Sequence, residues 1–117
     1  MTYQEVNELV ASFGLPYSYW QFPQDTGRAP PFLCFFFGSS YDLYADDRNF
    51  QRIRGLHLEL YTDRKAFDLE EEIEGRLEAL DLPYSKEETF LEKERMHMTS
   101  YEMDLVITSD KEEKTNG

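Results

Sequence analysis

Residues 52–62 carry the pattern that most restricts the fold, because apolar and polar side chains alternate along them. One set of alternate positions holds Leu56, Leu58 and Leu60, and the other holds His57, Glu59 and Tyr61. Successive side chains of a strand point to opposite faces, so the pattern predicts a buried leucine face and a solvent-exposed polar face. A sheet with one apolar face needs a second layer that covers it.

The first candidate for that layer is a helix over residues 2–13. Thr2 and Glu5 have the spacing of a capping box, in which each side chain accepts a hydrogen bond from a backbone N–H at the helix start. Gly14 is expected to end the helix, because glycine readily adopts the left-handed conformation found there.

A second amphipathic helix is predicted after the alternating strand. Its apolar stripe consists of Leu69, Ile73, Leu77 and Leu80, and glutamates cover the rest of its surface. Asp68 is the expected N-cap, since a side-chain carboxylate at that position accepts hydrogen bonds from free backbone N–H groups.

The remaining segments read mostly as strands separated by turns. We expect strands over Tyr17–Phe22, Phe32–Phe37, Tyr84–Glu94 and Met96–Thr108. Phe32–Phe37 is apolar on both faces, which indicates a central, doubly covered strand. A turn is expected at Gly38, and Tyr41–Asp47 is expected to form a short edge strand or an ordered loop.

These elements predict an α+β fold in the order α-β-β-(β)-β-α-β-β. It is a two-layer sandwich, with two helices on one face of a mostly antiparallel sheet of about four to five strands. We expect residues 1–108 to form a single domain, and residues 109–117, which lack apolar side chains, to form a disordered polar tail.

The tetrapeptide LPYS occurs twice, at Leu15–Ser18 and at Leu82–Ser85, each time after a predicted helix. Proline prevents the helix from continuing, and the tyrosine begins the next strand. The strands that follow differ in sequence, so convergence on one helix-to-strand corner is favoured over a duplicated unit.

The net charge of −12, from 24 acidic and 12 basic residues, argues against direct binding of nucleic acid or anionic membranes. No apolar run has the length of a membrane span, and no secretory signal is evident, so a cytoplasmic protein is expected. A sharper interpretation of the charge is mimicry of nucleic acid, with carboxylates in the place of phosphates.

No catalytic, cofactor or metal motif can be read from the sequence, and we expect a protein that is not an enzyme. Asp46, Asp47, His57 and Glu59 could in principle hold a divalent metal, although ordinary polar roles are favoured for all four. Cys34 lies in an apolar run and is expected to be a small buried residue.

Aromatic residues make up 15% of the chain, and they suggest a binding surface. Tyrosine combines a large apolar area with a polar tip and is enriched in protein interfaces. The candidate subunit-interface residues are Tyr17, Tyr19, Arg28, Tyr41, Tyr44 and Tyr61.

Several short phrases resemble a family of small tailed-phage and prophage morphogenesis proteins, of the tail-completion, tail-terminator or head–tail joining type. They are Leu15–Tyr17, Ala29–Pro31, Glu59–Lys65, the acidic helix and Tyr101–Glu102, within residues 3–108. The resemblance implies a structural virion-assembly subunit that forms a homo-oligomeric ring, typically a hexamer, and contacts the tail tube and the head–tail connector. It implies a location in the virion, at the tail or head–tail interface, and in the host cytoplasm during assembly.

In this interpretation the loop Pro23–Pro31 and the stretch Tyr41–Asn49 are the expected contact regions. Two alternatives from other classes stay open. One is an acidic inhibitor that imitates nucleic acid and binds a basic host protein, and the other is a metal-dependent enzyme.

Overall fold

The computed structural model of the protein describes residues 1–20, 29–45 and 48–108, and of residues 39–45 and 48–51 it describes only the backbone. Two helices and five strands follow one another along these residues. They are α1 (Tyr3–Ala11), β1 (Tyr17–Tyr19), β2 (Phe32–Ala45), β3 (Arg48–Thr62), α2 (Phe67–Ala79), β4 (Ser85–Leu91) and β5 (Met96–Val106). The predicted tail, residues 109–117, and residues 21–28, which include most of the predicted loop Pro23–Pro31, lie outside the described part of the chain.

The five strands form one sheet in the order β1-β2-β3-β5-β4. The short strand β1 is parallel to β2, and the other three pairings are antiparallel. The predicted α+β class and the mostly antiparallel sheet are confirmed.

The main core lies between both helices and one face of the sheet. Val6, Val10, Ile73 and Leu77 of the helices are buried together with the alternating residues of β2, β3 and β5. On β3 these are Leu56, Leu58 and Leu60, and on β5 they include Tyr101, Met103 and Leu105. The predicted leucine face is confirmed, and burial of apolar surface on this scale dominates the stability of such a domain.

The opposite face of the sheet is partly buried, so the prediction that His57, Glu59 and Tyr61 share a wet face is wrong for two of them. Glu59 is 8% exposed and Tyr61 is 2% exposed. Tyr61 forms a second buried cluster with Phe32 and Cys34, against which partly buried apolar side chains pack, namely Phe36, Leu91, Met96 and Met98. The alternation within β3 alone could not predict that this face is buried, because the side chains that bury it come from neighbouring strands.

The two clusters together confirm the prediction that the first half of β2 is buried on both faces. Leu33 and Phe35 belong to the main core, whereas Phe32 and Cys34 belong to the second cluster. Cys34 is fully buried, as expected for a small apolar residue.

The predicted turn at Gly38 is wrong, because β2 continues through it to Ala45. The pairing with β3 shifts register between Phe37 and Ser39, which marks a β-bulge at Gly38. Residues 41–45, part of the segment predicted as a separate edge strand or loop, therefore belong to one long hairpin of β2 and β3, whereas Asp46 and Asp47 lie outside the described residues. Among the described residues β5 pairs with β3 only from Ile53 onward, so within them the far part of this hairpin has two strands.

The ends of the first helix follow the sequence prediction. Thr2 and Glu5 form the complete capping box, with hydrogen bonds of 2.9 and 3.0 Å. Gly14 has a φ of 75°. Asp81, which precedes the second LPYS, also has a positive φ of 54°. Both copies thus follow a left-handed residue that ends a helix, in agreement with a shared local solution.

The start of the second helix differs from the prediction. Its N-cap is Ala66, which makes no side-chain hydrogen bond to the helix, and Asp68 lies inside the first turn. Phe67 therefore opens the helix, two residues before the predicted start at Leu69. The negative charge of Asp68 still stabilises the N-terminal end of the helix through the helix dipole.

Candidate functional site

An open cleft of about 600 Å³ lies beside the edge strand β1. We call it the β1-edge cleft. Its lining consists of Tyr3, Asn7, Tyr19, Phe35, Phe37, Gly38 and Arg54. These residues come from four elements: α1, β1, β2 and β3.

The aromatic rings of the β1-edge cleft support one another. Tyr3 contacts Phe37 edge-on, with ring centroids 5.2 Å apart, and Tyr19 contacts Phe35 in the same way at 5.2 Å. Edge-to-face pairs of this kind add stabilisation to that which comes from the buried apolar area, and so help to hold each ring in place. Yet Tyr3 is 48% exposed and Tyr19 is 52% exposed. The cleft therefore offers aromatic surface that is held by ring contacts and is accessible to solvent.

Trp20 carries the aromatic surface around the edge of the sheet. Its φ is 57°, which is rare for a bulky residue, and its backbone N–H donates to the carbonyl oxygen of Phe35 at 3.0 Å. The indole packs on Phe36, at 4.4 Å between centroids, whereas the neighbouring Tyr19 packs on Phe35 and Phe37. The indole is 49% exposed. The two neighbours thus place large rings on both faces of the sheet.

The structure describes the side chains of three of the six predicted interface residues, namely Tyr17, Tyr19 and Tyr61, and it places them in different surroundings. Tyr19 lines the β1-edge cleft, and Tyr17 is partly buried against the main core, near Phe35. Tyr61 is buried in the second cluster and offers no accessible ring. Tyr41 and Tyr44 belong to β2, but their side chains lie outside the described part, as does the whole of Arg28.

Sequence reasoning missed Tyr3, Trp20 and Phe37 as parts of this surface. Tyr3 lies at the start of a helix whose apolar stripe was assigned to the core, and nothing in the sequence pairs it with Phe37. Trp20 follows three strand residues, so simple alternation does not reveal the left-handed turn at this position. A Tyr-Trp pair next to Pro16 is the signal that could have directed attention to this edge.

The predicted metal candidates do not converge among the described residues. Glu59 accepts a hydrogen bond of 2.7 Å from the hydroxyl of Tyr61, and burial together with this bond raises the pKa of Tyr61 above its ordinary value. The ring of His57 stacks on Phe36 at 4.7 Å, with Nε2 3.5 Å from a carboxylate oxygen of Glu102.

Within residues 1–20, 29–45 and 48–108, no three His, Cys, Asp or Glu side chains are grouped to hold a metal ion. Asp46 and Asp47 lie outside these ranges. Neither helix in the described part is long and apolar enough to cross a membrane.

A charged network joins α2 to the sheet on the side away from the cleft. Glu70 is 3% exposed and accepts hydrogen bonds of 2.8 Å from Lys65 and from Lys86. Lys86 also contacts Glu74 at 2.9 Å, and Glu74 accepts a bond of 2.7 Å from the buried Tyr101 hydroxyl. Each buried polar atom of the network therefore has a partner, as a buried charge requires.

The pKa shifts within this network follow from its contacts. Burial acts to raise the pKa of Glu70, but the ammonium groups of Lys65 and Lys86 outweigh it, so this pKa is lowered. In turn, hydrogen bonds to the carboxylates of Glu70 and Glu74 raise the pKa of Lys86, and Glu70 makes the larger contribution. At neutral pH the network holds fixed, paired charges, an arrangement that attaches a helix to a sheet.

No family model matches the chain, and no curated protein or solved structure shows significant similarity to it.

Proposed function

We propose that the protein is a structural subunit of virion assembly, of the tail-completion, tail-terminator or head–tail joining type, and that it acts as a homo-oligomeric ring. The observation that carries this proposal is the exposed aromatic surface at the β1 edge. Tyr3, Tyr19 and Trp20 are each about half exposed, and exposed aromatic residues of this kind dominate the energetics of protein interfaces.

The architecture also suits a subunit that binds other proteins. The sheet has two edge strands, β1 and β4, and the long hairpin of β2 and β3 extends beyond the pairing with β5. Edge strands and projecting hairpins are surfaces through which subunits associate. The polar network around Glu70 consists of paired charges and supports the scaffold rather than a reaction.

The test is the molar mass of the purified chain in solution, measured by light scattering on a sizing column over a wide range of protein concentration. A ring-forming subunit is expected to rise from 13.9 kDa towards about six times that mass as concentration increases. A mass that stays at 13.9 kDa over the whole range contradicts a self-assembling ring.

A further inference from the structure

We draw no further inference here: the strongest candidate, the β1-edge cleft with its exposed rings of Tyr3 and Tyr19, carries none, because nothing in the part of the chain that the structure describes shows what covers it.

Discussion

Glu70 is the residue whose replacement should cost the fold most among the charged side chains described. Its carboxylate is buried and contacts two ammonium groups, so Glu70→Gln leaves both lysines facing a neutral amide. We expect a loss of about 2–3 kcal/mol in the free energy of unfolding, measured by urea denaturation at pH 7. Glu71→Gln changes an exposed residue of the same helix and should alter stability by less than about 0.5 kcal/mol.

The same carboxylate makes stability depend on pH in one direction. The pKa of Glu70 is lower in the folded state than its ordinary value of 4.5, so the unfolded state binds this proton more readily. Its stabilising contribution is complete above pH of about 4.5 and is lost as the pH falls through the lowered pKa. Unfolding midpoints between pH 7 and pH 3 should therefore fall less steeply for Glu70→Gln than for the wild type. Equal slopes would contradict the assigned contacts.

Gly38 is the second residue with a specific requirement, because the ring of His57 lies directly over it. A Cβ at this position would stand 2.5 Å from Nε2 and 2.8 Å from Cδ2 of that ring. Gly38→Ala must displace the imidazole from its stack on Phe36, and we expect a loss of about 1–2 kcal/mol. A double-mutant cycle provides the check, since in a His57→Ala background the alanine should cost little. An unchanged cost in that background places the strain elsewhere.

At the scale of elements, Gly75 lowers the stability of α2 although no described residue around it requires a glycine. A Cβ built at this helical position meets nothing within 4 Å, and glycine inside a helix is less favourable than alanine by about 0.5–1 kcal/mol. Gly75→Ala should therefore stabilise the protein by about that amount in thermal unfolding. Because Gly38→Ala has the opposite expected sign, the pair separates a glycine that the structure needs from one that it does not. A destabilised Gly75→Ala variant would contradict the open space around this position.

The elements also mark how far sequence periodicity can predict this fold. Both helices, the leucine face of β3 and the capping box of α1 were predicted, because each depends on neighbours within a few residues. The burial of Glu59 and Tyr61 was not, since it depends on Phe32 and Cys34 from another strand. Local sequence patterns determine whether a segment forms a helix or a strand, whereas the burial of its faces depends on residues that are distant along the chain.

The hairpin and the cleft have the same lesson. Gly38 was expected to make a turn, yet a β-bulge absorbs it within β2, and only the pairing partner distinguishes the two outcomes. The β1-edge cleft joins α1, β1, β2 and β3, so its residues come from four elements. Of the three predicted interface residues whose side chains the structure describes, Tyr17, Tyr19 and Tyr61, only Tyr19 is found in its lining. Assembly of a site from separate elements leaves no signature in any one of them.

For the whole molecule, net charge governs how stability and association respond to salt. With 24 acidic and 12 basic residues, repulsion within one copy and between copies outweighs the paired charges. Raising the salt concentration from about 0.01 M to about 1 M shortens the screening length from about 30 Å to about 3 Å. We expect the unfolding midpoint to rise by roughly 4 °C, which corresponds to about 1 kcal/mol for a domain of this size. The rise should vanish near pH 4.5, where the net charge approaches zero.

The same series of salt concentrations also distinguishes the proposed ring subunit from an acidic inhibitor, because salt should affect their association in opposite directions. Copies that each carry −12 must overcome mutual repulsion, so salt should lower the concentration at which rings form. An acidic inhibitor that imitates nucleic acid binds a basic partner through attraction, and salt weakens such complexes. Light scattering across the salt series measures the first response, and titration with a basic model protein such as a histone measures the second. Salt-strengthened self-association together with negligible histone binding at 0.15 M supports the ring, and the reverse pattern supports the inhibitor.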